Sequence, residues 1–235
     1  MQNKIITAKD AADIVKNGDR IMIGGFAGSG NPMKVVHEIK KKNVKDLILI
    51  GNDTGDTYIL DDHVGVLVDN HQIKKAIVTH IGRNPETCRQ FQNGEIEVEF
   101  VPQGTLVERI RCAGYGLGAA ITKTGVGTEI EEGKDKITID GEEYLIEKPI
   151  FADVCVVKVR QADKMGNVVF HGSDRAHSQV MLAAAKVSIV QADEIVEIGE
   201  LDPDQITVPG IFVDYIVDGG QDDWTFKRAK KHNHC

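Results

Sequence analysis

The chain has 235 residues, 41% of them hydrophobic and 27% charged, with a formal net charge of −8. That length and apolar content suffice for the core of one large domain or two small ones. The acidic balance, without a long basic face, argues against nucleic acid or an anionic membrane surface as partner. No apolar stretch is long enough for a bilayer span or an export signal. Cys88, Cys112, Cys155 and Cys235 show no paired spacing and read as reduced thiols, so a cytoplasmic location is expected. His232-Asn233-His234-Cys235 reads as a polar chain end, and no metal site is expected.

In chain order, Thr7 with Asp10 three residues later resembles a capping box, opening a helix that ends near Gly18. A strand over 20–24 follows, and then a helix from Pro32 with Val35, Val36 and Ile39 on one face. Asn31 reads as the cap of that helix and Pro32 as its first residue. Asp46-Leu47-Ile48-Leu49-Ile50, by its continuous apolar run, predicts a buried strand, and Ala76 to Thr79 another. Asn84-Pro85 opens a helix toward Gln92. Ile96 to Phe100 alternates strictly, as a half-buried strand near a sheet edge does, and Thr105 to Cys112 reads as a helix. Residues 113–133 form a long glycine-rich loop, a type more often functional than idle. Asp140-Gly141 predicts a hairpin turn within Lys136 to Ile146. A strand over 153–159, a hairpin turning at Lys164 to Asn167, a helix over 176–186 and a strand over 187–191 complete the pattern. The alternation predicts an α/β fold with a mostly parallel sheet and crossover helices. One domain is expected over residues 1–218, with a tail over 219–235.

The densest signal is Ile21-Met22-Ile23 running into Gly24-Gly25-Phe26-Ala27-Gly28-Ser29-Gly30. Strand, glycine loop and helix start in that order can hold an anion or a carbonyl oxygen on backbone N–H groups. The common nucleotide loops are excluded. Counting from Gly28, Met33 stands where a dinucleotide-binding loop needs its third glycine, and no Gly-Lys-Ser/Thr closes the loop as a P-loop requires. The residues alone leave two readings, a ligand-binding loop or a tight structural turn.

Asn17-Gly18, Gly24-Gly25-Phe26 and Gly30-Asn31-Pro32, taken together, resemble the signature of the alpha subunits of family I (3-oxoacid) coenzyme A-transferases. Gly51-Asn52-Asp53-Thr54, Pro102-Gln103-Gly104-Thr105, Thr124-Gly125-Val126-Gly127-Thr128, Ala162-Asp163 with Gly166-Asn167, and Ile198-Gly199 before Pro203 follow in the family's order. The resemblance runs from residue 1 to about 217 and is nearest the acetate/butyrate–acetoacetate type. It implies a three-layer α/β/α fold with a mostly parallel mixed sheet, similar to glucosamine-6-phosphate deaminase and ribose-phosphate isomerase.

The resemblance also implies a two-subunit enzyme that moves CoA from a short-chain acyl-CoA to a free carboxylate. A glutamate of the beta subunit, in a Ser-Glu-Asn-Gly-like segment, is its nucleophile, and the kinetics are ping-pong. This chain lacks that segment; Gln92-Asn93-Gly94-Glu95 has the wrong order. By the same resemblance Gly24, Gly25, Phe26, Ala27, Gly28, Ser29 and Gly30 contact CoA or the acyl group. Asn52 is the candidate oxyanion donor and Gln103 a second amide near the acyl site. A neutral amide stabilises developing O⁻ without a competing proton equilibrium, although a strand-end amide can equally serve local backbone. No permanently bound cofactor is implied; CoA and acyl-CoA are substrates. Phe170 to Ala176 departs from the aromatic, Ser-Ala-Arg-Asn-rich stretch frequent in relatives, which bears on the substrate more than on the reaction. Two alternatives stay open at this point, a sugar-phosphate isomerase or deaminase on the same fold and a non-catalytic regulatory subunit.

Overall fold

A computed structural model of the chain describes residues 3–58 and 62–220. The expected tail, from residue 221 on and including His232 to Cys235, lies outside the described residues.

The first half alternates as its apolar pattern dictates. It runs β1 (Ile5–Ile6), α1 (Ala8–Ile14), β2 (Arg20–Ile23), α2 (Met33–Lys42), β3 (Leu47–Ile50), α3 (Val66–Asp69), β4 (Ile73–Val78), α4 (Pro85–Gln92), β5 (Glu97–Phe100) and α5 (Gln103–Gly114). Thr7 and Asp10 form the capping box at α1, each accepting the other's backbone N–H. Asn84 caps α4 by accepting the N–H groups of Glu86 and Thr87, both at 3.1 Å. α1 stops at Ile14, short of Gly18, because Val15 turns extended and its side chain is buried. Lys42, in the last turn of α2, donates to the carbonyls of Ala12, Asp13 and Val15, so the freed acceptors are satisfied.

Beyond α5 come β6 (Ala120–Thr122), β7 (Lys136–Ile139) and β8 (Glu142–Glu147), which form a separate antiparallel sheet in the order β6-β8-β7. The expected Asp140-Gly141 hairpin is therefore present, and the glycine-rich stretch contributes β6 to it. β9 (Ala152–Asp163), β10 (Val168–Val169), α6 (Ser178–Ala183), β11 (Ala185–Val196) and β12 (Tyr215–Asp218) return to the main sheet. α6 is shorter and β11 longer than the sequence predicts. β11 pairs with β9 from Ala185 opposite Ala152 to Val196 opposite Asp163, and that ladder overrides the helix preference of Ala185 and Lys186.

The main sheet has the order β1-β12-β11-β9-β2-β3-β4-β5 with every neighbour parallel; β10 alone runs antiparallel, against β9. β5 is its outer strand, as its alternation predicts. Successive side chains face opposite layers. Ile21, Ile23, Leu49 and Val78 pack with Val35, Val36 and Ile39 of α2 and Leu67 of α3. Met22, Ile50, Ile77 and Val157 pack with Leu106 and Ile110 of α5 and Met181 of α6. Each such side chain, fully buried, contributes about 1.5–3 kcal/mol. The result is a three-layer α/β/α domain.

Strand order reverses between β2 and β9. From β2 the chain steps outward through β3 and β4 to β5; from β9 it steps the other way through β11 to β12. A crevice outside the carboxyl ends of parallel strands at such a switch point is the expected ligand site of an open α/β sheet.

Candidate active site

Four strands end at that crevice, and three of them, β2, β3 and β5, deliver segments singled out in the sequence. β2 leads to Gly24–Gly30, β3 to Asn52 and Asp53, β4 to Thr79 and His80, and β5 to Gln103 at the start of α5. Together with the segment Gly172–His177 before α6, they border a cavity of about 1750 Å³.

The glycine loop is a miniature hairpin. Phe26 and Ser29 exchange both backbone hydrogen bonds at 2.9 Å, with Ala27 and Gly28 at its tip. Gly25 sits at φ +116°, and a Cβ there would stand 2.3 Å from Asn31 Nδ2, so only glycine fits. Asn31 is not the helix cap. Its side chain is buried and donates to Gly24 O at 2.7 Å, while Pro32 takes the cap position without a side-chain bond. The expected array of free N–H groups is only partly present. Gly24 donates to Val156 O, Phe26 and Ser29 to each other, and Ala27 to Asp53. Gly25, Gly28 and Gly30 are the loop positions whose N–H has no protein acceptor among the described residues.

Asp53 ties these segments together. Its Oδ2 accepts from Ala27 N at 2.8 Å and Asn52 Nδ2 at 2.7 Å, and its Oδ1 accepts from Gly55 N at 2.8 Å. Hydrogen bonds to an ionised group contribute about 1.5–3 kcal/mol each. Asn52, 2% exposed, accepts from Gln103 Nε2 at 2.6 Å through Oδ1. Thr79 donates to the Asn52 carbonyl with both its N–H (2.9 Å) and its hydroxyl (2.7 Å). Ala27, Asp53, Asn52 and Gln103 therefore form one continuous chain of hydrogen bonds across three segments.

Of the residues singled out in the sequence, Phe26, Ala27, Ser29 and Gln103 line the cavity. Gly24, Gly25, Gly28 and Gly30 shape the loop behind it, and Asn52 lies behind Gln103. Ser29 donates to Asp174, which docks the loop onto the segment before α6. Among the described residues, the carboxylates lining the cavity are Asp56 and Glu108, and each already holds an arginine. Asp56 binds Arg83, and Glu108 accepts from Arg111 Nε at 2.8 Å.

Further residues line the cavity. Arg175 presents a guanidinium with no ion-pair partner among the described residues. Thr105 and His177 also line the cavity, 5% and 6% exposed, and their Oγ1 and Nε2 have no hydrogen-bond partner among the described residues. Burial holds the His177 imidazole below its ordinary pKa, against the pull of nearby Asp53. Thr105 belongs to the Pro-Gln-Gly-Thr motif, so its position was legible; nothing in the sequence points to His177. Cys112 lines the cavity as well, and burial pushes its thiol pKa up.

Residues 5–219 match the coenzyme A transferase family. The chain is 43% identical over 217 residues to the acetate CoA-transferase subunit alpha of Escherichia coli K12, covering 92% of this chain and 97% of that protein. It is also 43% identical over 217 residues to the acetoacetyl-CoA:acetate/butyrate CoA transferase alpha subunit of Clostridium acetobutylicum, covering 92% and 98%. Among solved structures, the acyl-CoA transferase of E. coli O157:H7 in a thioester complex with CoA superposes with a TM-score of 0.82 at 20% identity. That alignment covers 94% of this chain and 48% of the larger one, and it bears on the fold. Among the described residues no helix is long and apolar enough to cross a membrane.

Proposed function

This chain belongs to the coenzyme A transferase family, and we propose that it is the alpha half of a two-subunit transferase acting between a short-chain acyl-CoA and acetoacetate, acetate or butyrate. One observation carries the reading. A family match over residues 5–219 surrounds a large cavity in which both carboxylates that line it among the described residues, Asp56 and Glu108, are committed to arginines. A carboxylate paired in this way is a poor nucleophile, so the attacking glutamate comes from a beta subunit that closes the cavity.

In that scheme the partner's glutamate oxygen attacks the thioester carbonyl carbon, and the C–S bond breaks to release CoA thiolate and leave an acyl–glutamyl anhydride. The thiolate then attacks the glutamyl carbonyl, the first acid leaves, and a glutamyl-CoA thioester remains. The second acid reverses both steps. This chain contributes binding and charge stabilisation. Gln103 spends one N–H of its amide on Asn52 Oδ1, which fixes the group and leaves its second N–H for developing O⁻. Asn52 is thus a positioning residue, held in turn by Asp53 and Thr79. One well-placed oxyanion donor accounts for about 10²–10³ in kcat. Phe26, half-exposed at the cavity rim, gives apolar surface for the acyl or pantetheine chain, and the unbonded N–H groups of Gly28 and Gly30 suit a polar head.

The same reading has no resident cofactor, places the enzyme in the cytoplasm and treats residues 1–218 as one domain. Family membership sets aside the sugar-phosphate isomerase alternative. The test is transfer of CoA from acetoacetyl-CoA to acetate or butyrate by this chain with and without its co-purifying partner. Activity only in the complex is expected. Turnover by the chain alone, or a complex that moves no CoA, would overturn the proposal.

A further inference from the structure

The glycine loop and the turn Gly172–Arg175 meet across the switch point, the first following β2 and the second following β9 and β10. Ser29 donates its hydroxyl to the Asp174 carboxylate. One residue on, Gly30 lies against the same partner. At its φ of +74° a Cβ would stand 2.8 Å from Asp174 O and 3.1 Å from Asp174 Cα. Both segments carry backbone that alanine disfavours: Ala27, at the hairpin tip, has φ +49°, and Ala176, just past the turn, has φ +34°. A two-stranded hairpin standing alone is only marginally stable, and disfavoured backbone persists where the surroundings over-determine it. Asp53 supplies one brace, through Ala27 N. Asp174 supplies another, from the opposite half of the sheet.

We propose that Asp174 is a positioning residue: through Ser29 it clasps the glycine loop to the far wall of the cavity and holds the loop in its ligand-binding shape before acyl-CoA arrives. The inference deepens the transferase reading and rests on it for the identity of the ligand. The two clasped segments line the cavity with Phe26, Ala27 and Ser29 on one side and Ser173, Arg175 and Ala176 on the other. With the clasp closed, the two walls are fixed relative to each other, and a ligand spanning the crevice meets a formed site. With it open, the Ala27–Asp53 bond is left to brace the tip, and binding must order the loop. The loop contacts the ligand alike before and during the reaction, so the loss falls on KM and not on kcat. That separates Asp174 from Gln103, whose amide acts on developing O⁻.

The experiment measures CoA transfer from acetoacetyl-CoA to acetate by the complex of this chain with its partner, in wild type and in Asp174→Ala, Asp174→Asn and Ser29→Ala. Each alanine variant should raise KM for acetoacetyl-CoA by about tenfold, the effect expected of one hydrogen bond to a charged group, with kcat within about twofold. The double alanine variant should lose no more than either single one, because both open the same contact. Asp174→Asn keeps an oxygen acceptor for Ser29 and should restore most of the wild-type KM. Hydrogen exchange reads the clasp without turnover. The amides of Phe26, Ala27 and Ser29, all bonded in the closed loop, should exchange about tenfold faster in Asp174→Ala and at the wild-type rate in Asp174→Asn. Should the complex move no CoA, the transferase reading fails while the exchange rates still decide the role of Asp174. Unchanged KM and exchange in the alanine variants overturn the proposal, as do losses that add in the double variant. Equal losses in Asp174→Ala and Asp174→Asn assign the effect to charge, and a lowered kcat or Tm with KM unchanged marks a merely structural contact; either result overturns it too.

Discussion

Replacing Asn52 by Asp tests the hydrogen-bonded chain at its centre. Asn52 Nδ2 lies 2.7 Å from Asp53 Oδ2, so Asn52→Asp sets two carboxylate oxygens at that distance in a buried place. At an effective dielectric of about 20, two unit charges so close repel by about 6 kcal/mol. Holding one carboxyl protonated at pH 7.5, against an unfolded pKa of about 3.9, costs about 5 kcal/mol. The second route is cheaper, so the variant's pair shares a proton rather than carrying both charges. Its folded pKa is then raised above the unfolded value, and the penalty is absent below the unfolded pKa and grows as pH rises toward the folded one. At pH 5.5 the same protonation costs only about 2 kcal/mol. The difference of nearly 3 kcal/mol corresponds to about 5–10 °C in Tm for a chain of this size. Thermal unfolding of wild-type and variant complexes at the two pH values measures it. The Tm gap should be wider at pH 7.5 by that amount; a gap equal at both pH values, or none, would refute the contact and the electrostatics drawn from it.

Three further outcomes are expected. Gln103→Ala should lower kcat by about 10²–10³ with Tm nearly unchanged; a loss below about fivefold would leave Gln103 no more than a strut for Asn52. Gly25→Ala forces φ +116° on an L residue and a Cβ against Asn31, so it should destabilise by about 2–4 kcal/mol in urea unfolding, and a neutral result would contradict the loop geometry. Arg89, bonded to Glu86 through two nitrogens, holds the Glu86 carboxyl down at about 2, with Gln90 assisting. A carboxyl depressed in this way stabilises the fold above its unfolded pKa, and that contribution disappears as pH falls through about 2. NMR titration should place the Glu86 midpoint there, and Arg89→Ala should return it toward the ordinary range; an unchanged midpoint would show that the pair does not form in solution.

Much of the fold was legible because burial on both faces writes continuous apolar runs, as in Leu47-Ile48-Leu49-Ile50, and caps write local signatures, as at Thr7 and Asn84. Boundaries failed where a distant partner decides them. Ala185, after α6, joins β11 because β9 lies beside it, and Val15 leaves α1 for the core. The site divides in the same way. Gln103 and the loop residues Phe26, Ala27 and Ser29 were found by motif and do line the cavity. The state of the loop's N–H groups was not legible, since the acceptor for Ala27 is Asp53, 26 residues on. His177 could not be found at all: it is buried with Nε2 unpartnered only once the chain has folded.

The central claim is that this chain shapes the site while its partner supplies the nucleophile. The most direct measurement incubates the complex with acetoacetyl-CoA, reduces the trapped thioester with borohydride and weighs each subunit intact. Inactivation with a carboxyl-to-alcohol mass loss on the partner alone is the predicted result. The same loss on this chain would contradict the account, because it would place the attacking carboxylate on the half assigned binding and charge stabilisation.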